Sequence, residues 1–85
     1  MTGPELLSRA AAVVDQRRQS YGEPRLLFER VAIRWSQLLG VEVTAAQVGL
    51  CLADLKLARL TVDPGHIDSL VDVAGYVACV REVQR

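Results

Sequence analysis

Three breaks in the pattern set what this chain can fold into. SYGEP at residues 20 to 24, Gly40 followed by VEV, and TVDPGH at residues 61 to 66 cut an otherwise continuous helical periodicity into four pieces. Gly22 suits a left-handed turn and Pro24 the first turn of a new helix. Thr44 and Gln47 have the spacing of a capping box, and Asp63, Pro64 and Gly65 are turn formers. Between the breaks, helices are expected at about 4–19, 24–39, 44–60 and 67–83. Leu27, Phe28, Val31, Trp35, Leu38 and Leu39 mark the buried stripe of the second. The fold class is all-α: a single domain in a compact four-helix bundle, whose last two helices form an antiparallel hairpin.

With 85 residues such a bundle buries only a modest core, and Leu and Val appear on more than one face. A homo-oligomer is therefore expected. Ten basic and ten acidic residues cancel, so no overall field draws the chain to DNA, RNA or an anionic membrane, and any anion site must be local. Apolar runs stop well short of the ~20 residues a membrane span needs. Cys51 and Cys79 stand in apolar runs at no metal-ligand spacing and read as reduced, buried thiols of a cytoplasmic protein.

The third helix carries CLADLKLARL, where Asp54, Lys56 and Arg59 interrupt an apolar surround. Folded back about the turn, an antiparallel hairpin sets Arg59 level with Asp68 and Lys56 level with Asp72. Asp54 points elsewhere, toward other contacts or another subunit. Two readings of the stripe stand side by side. Two interhelical ion pairs explain it without a ligand. Alternatively the crowding of Lys56, Arg59, His66, Asp68, Asp72 and Tyr76 suits a phosphate-bearing ligand, with Tyr21 or Tyr76 stacking on a base and Arg17, Arg18 or Arg25 near a phosphate. Gly75 allows close approach of a helix or ligand. Taken singly, His66 reads first as a solvated or capping turn residue, Tyr21 as a packed corner, and Trp35 as core. No nucleophile partners the single histidine, and the glycine patterns of nucleotide-binding loops are missing.

The succession RRQSYGEP, FERVAIRWSQLLG, VTAAQVGLCLADLKLARL and GHIDSLVDVAGYVA resembles a family of small helical proteins found mostly in phages and prophages. The likeness rests on Lys56, Arg59, Asp68, Asp72, Gly75 and Tyr76, with Tyr21 and Gly22. The layout is also similar to domains associated with phage nucleotide modification and, distantly, to MazG-like all-α nucleoside triphosphate pyrophosphohydrolases. That likeness implies a nucleotide partner, oligomers and Mg2+ held by carboxylates, here Asp68, Asp72 and Asp54. The chain departs from the enzyme pattern: helix two has only Glu29 in its interior, and helix four has D-x-x-x-D. The resulting expectation is a non-enzymatic, cofactor-free, oligomeric sponge for a cyclic or ADP-ribose-type nucleotide signal in an infected host. The alternatives are a Mg2+-dependent pyrophosphohydrolase and a purely structural or protein-interaction bundle.

Overall fold

The computed structural model describes residues 1–84. Four helices follow one another: α1 (Gly3–Tyr21), α2 (Pro24–Leu39), α3 (Ala45–Val62) and α4 (Ile67–Val83). Their ends are set by local chemistry. Thr2 caps α1 by accepting from the Glu5 N–H, and Thr44 caps α3 in a reciprocal box with Gln47. Gly22 and Gly40 close α1 and α2 with φ of 83° and 72°, a region that L side chains avoid. α1 runs two residues beyond the expected end, because nothing before Gly22 breaks it. Tyr21 is thus the last helical residue rather than part of a corner. α3 also continues to Val62, where the Thr61 hydroxyl donates to the Ala58 carbonyl within the last turn.

α4 is the axis of the molecule. It packs against all three other helices and most extensively against α3, whereas α1 and α3 make no close backbone approach. α3 and α4 form the antiparallel hairpin: Lys56 meets Asp72, and Gly49 lies against Tyr76 and Val80. α1 instead runs in the same sense as α4, matching Arg9 with Asp68, Val14 with Gly75 and Arg18 with Glu82. The central cluster is Phe28, Ala32 and Val48, with Val31, Trp35, Leu52, Tyr76 and Cys79 packed on it. Ser36 ties the α2–α3 link down: its hydroxyl donates to the Ala32 carbonyl at 2.7 Å and accepts from the Val43 N–H at 2.8 Å.

Two expectations about burial are corrected. Leu38 and Leu39 are exposed, because α2 runs past the end of the core it shares with α3 and α4, and Leu27, at the start of the same stripe, is exposed too. Cys51 is exposed as well, lying on the side of α3 turned away from α4, while Cys79 is half-buried; both are free thiols. No helix among the described residues is long and apolar enough to cross a membrane.

Candidate functional site

A groove of about 410 Å³ opens between α1, α2 and α4, within the ordinary size range of small-molecule sites. Its floor is hydrocarbon: Phe28, Leu52 and Val71 lie at the base, with Val13 and Val14 on the α1 wall and Leu27 and Val31 on the α2 wall. Polar groups enter from two directions. α1 contributes Arg17, Arg18 and Tyr21 in its last turns, and α4 contributes Asp72 and Tyr76. Helical geometry explains each set. Tyr21 lies four residues from Arg17 and three from Arg18, so it sits between them one turn on, and Asp72 and Tyr76 are likewise four apart on one flank.

Arg18 is the cation best placed within this groove. Its guanidinium is drawn toward two carboxylates, Nε lying 3.6 Å from Glu23 Oε2 and Nη2 3.7 Å from Glu82 Oε1, distances too long for hydrogen bonds. Nε is itself shielded from solvent and has no hydrogen-bond partner. A buried donor left in that condition is costly, and an anion accepting from it would recover the loss. Arg17 is exposed and, among the described residues, makes no ion pair. Cys79 also lines the groove, and burial pushes its thiol up; Glu82 adds to that, against the opposing pull of Arg18 and Arg17. The thiol is thus neutral and poorly nucleophilic, part of the wall.

The hairpin charges divide in a way that the sequence alone does not show. Lys56 Nζ does pair with Asp72 Oδ2, at 3.2 Å, with the two side chains only 25% and 22% exposed. Arg59 does not meet Asp68. Asp68 pairs with Arg9 of α1 at 3.3 Å, and Arg59 is exposed with no ion pair among the described residues. The four-residue step from Asp72 back to Asp68 turns about 40° around the helix axis, enough to hand Asp68 from α3 to α1. His66 is the N-cap of α4: Nδ1 accepts from the Ser69 N–H at 3.2 Å and lies 2.8 Å from the Ser69 hydroxyl. Arg25 pairs with Glu29 on its own helix and does not line the groove. Of the expected ligand residues, Arg17, Arg18, Tyr21, Asp72 and Tyr76 thus share one groove, while Arg25, Lys56, Arg59, His66 and Asp68 lie outside it.

The carboxylates expected to hold Mg2+ do not fit that task. Asp72 and Asp68 are drawn to different cations, and Asp54 is exposed on another side of α3. Among the described residues, no three His, Cys, Asp or Glu side chains converge on a common point.

Sequence reasoning missed Gly49. A Cβ there would lie 2.7 Å from a Val80 methyl and 3.2 Å from the Phe28 ring, so Gly49 lets α3 close onto α4 beneath the groove. Gly75, singled out from the sequence, has ordinary room for a Cβ, 3.5 Å from Val14. A glycine deep in an apolar helix was the signal for Gly49.

Fold and groove together define a small all-α protein with an apolar, arginine-edged cleft between α1, α2 and α4. The chain belongs to the family described as Domain of unknown function (DUF6378), which it matches over residues 5–84. It is similar to the Gene 55 protein of Mycobacterium phage L5, with 35% identity over 81 residues, covering 93% of this chain and 52% of that protein. The Gene 55 protein of Mycobacterium phage D29 is 34% identical over 68 residues, covering 80% of this chain and 45% of its own length. The chain therefore spans about half the length of these phage relatives. No solved structure matches it significantly.

Proposed function

We propose that the groove between α1, α2 and α4 binds a nucleotide without turning it over, and that the protein acts as an oligomeric sponge for a cyclic or ADP-ribose-type nucleotide. The observation that carries this reading is the convergence of Arg18 and Tyr21 from α1 with Asp72 and Tyr76 from α4 around one apolar cleft. Each group has a task suited to its chemistry. The apolar floor and the tyrosine rings accept a base, and Arg18, whose Nε makes no hydrogen bond, holds a phosphate together with Arg17. Asp72 is neutralised by Lys56, so it accepts a ribose hydroxyl without repelling the phosphate. Lys56 thereby changes role, from a phosphate ligand to the counter-ion of a groove residue. The scatter of the carboxylates favours binding over a MazG-like hydrolysis. Self-association belongs to the same proposal and is supported by the many apolar side chains left exposed.

Calorimetric titration of the full chain with cyclic oligonucleotides and ADP-ribose derivatives, in the absence of metal, tests the reading. Heat is expected with at least one of them, and both Arg18→Met and Arg17→Met are expected to weaken binding tenfold or more. No heat and no thermal shift across the panel would overturn it. Pyrophosphate release from nucleoside triphosphates with Mg2+ would instead favour the enzyme.

A further inference from the structure

Half of α3 looks outward and carries more hydrocarbon than a free surface calls for. The side bearing Gly49 and Lys56 is spent on α4. Along one outward flank run Cys51, Leu55, Ala58 and Val62, all exposed, Leu55 by 62% and Val62 by 87%. Their spacing of four, three and four residues is the apolar seam of a two-stranded coiled coil. The seam begins at Cys51, because Val48, one step earlier in the same repeat, is fully buried within the chain's own core.

Surface area points to what covers it. The molecule exposes 5899 Å² at a mass of 9.3 kDa, where a folded monomer of that mass exposes about 5000 Å². The excess, on the order of 900 Å², matches the ~800 Å² that one partner contributes to a stable interface. Charge supplies the orientation. Asp54 and Arg59 flank the seam on its two sides, both exposed and, among the described residues, neither in an ion pair. When two such helices pair in parallel, the flanking residue just before one seam position faces the opposite flank of its partner five residues on. Asp54 then meets the partner's Arg59, twice by symmetry. Antiparallel pairing would instead match each flank with its own kind and leave the arginines without acids.

We propose that the chain forms a homodimer through a parallel α3 seam of Cys51, Leu55, Ala58 and Val62, clasped by reciprocal Asp54 to Arg59 ion pairs. This deepens the self-association proposed above and does not depend on the groove, whose lining takes Leu52 alone from α3 and none of the seam residues. The short seam suffices because α3 is already folded on α4, so association orders little beyond the two bodies themselves.

Light scattering on the full chain at micromolar concentration, combined with mild diamide oxidation, tests the seam. A dimer mass is expected, along with a disulfide-linked dimer that persists in Cys79→Ser and is lost in Cys51→Ser. Leu55→Glu, at an exposed position that keeps its helicity by circular dichroism, should weaken association at least tenfold. Asp54→Arg should weaken it too, and Asp54→Arg with Arg59→Asp should restore it. A wild-type monomer would sink both the seam and self-association. A dimer indifferent to Leu55→Glu, or one that Cys51 cannot link, would place the interface elsewhere and sink the seam alone.

Discussion

Between Lys56 and Asp72 the outcome of a mutation depends on which partner is left behind. The pair is three-quarters buried, so each charge has given up most of its hydration and depends on the other. Replacing Lys56 alone strands a carboxylate at the groove wall. Lys56→Met should cost about 1–3 kcal/mol in urea unfolding, less than breaking a fully buried pair costs because a quarter of each side chain still meets water. Adding Asp72→Leu removes the stranded charge, and the double variant should recover to within about 1 kcal/mol of the parent. Equal stability of the single variant and the parent would show that the pair behaves as a surface contact. Arg9 and Asp68 provide the comparison: they are half or more exposed, and Arg9→Met should change stability little.

At the scale of the helix, α3 is held by what one glycine leaves out. Gly49 sits where α3 crosses α4, and a Cβ placed there collides with a Val80 methyl that has no flexible tail to swing aside. Gly49→Ala improves intrinsic helix propensity by about 1 kcal/mol. The overpacking outweighs that gain, and the net should be a loss of about 1–2 kcal/mol, or several degrees in melting temperature for a chain of this size. A more stable Gly49→Ala variant would mean that α3 and α4 can separate far enough to relieve the 2.7 Å contact at little cost. The same scale shows what the sequence made legible. The bounds of α2 and α4 coincide with Pro24, Gly40, the DPG turn and His66, because breakers and caps act through their own backbone and need no distant partner. Thr44 and Gln47 cap each other for the same reason. Lys56 with Asp72 was readable because a tight hairpin fixes height. Arg59 with Asp68 was not, because α1, far off in sequence, supplies the competing Arg9. The groove itself was visible only as a set of residue types, since its walls are brought together by α1 lying along α4, an arrangement that no local pattern specifies.

For the molecule as a whole, the uneven distribution of packing sets which part moves when the groove is used. α4 touches every other helix and α3 shares its longest interface, whereas α1 leans on α4, barely on α2 and not on α3. Ala10 is the single buried residue of α1, and the helix is otherwise tethered by the exposed Arg9 pair and, near its C-terminus, the long Arg18 contacts. Few buried apolar groups and weak tethers make a helix that opens without global unfolding. Amide hydrogen exchange should therefore release α1 first, through a local opening well below the cost of unfolding α3 and α4. α1 also brings Arg17, Arg18 and Tyr21 to the groove, so its opening takes the cationic wall away from Asp72 and Tyr76. A bound anion that bridges Arg18 to α4 should slow exchange in the C-terminal half of α1 most and leave α3 nearly unchanged. Uniform protection across all four helices in the free protein would contradict this account. So would a ligand that slows α3 while leaving α1 untouched, because occupancy would then be felt away from the groove.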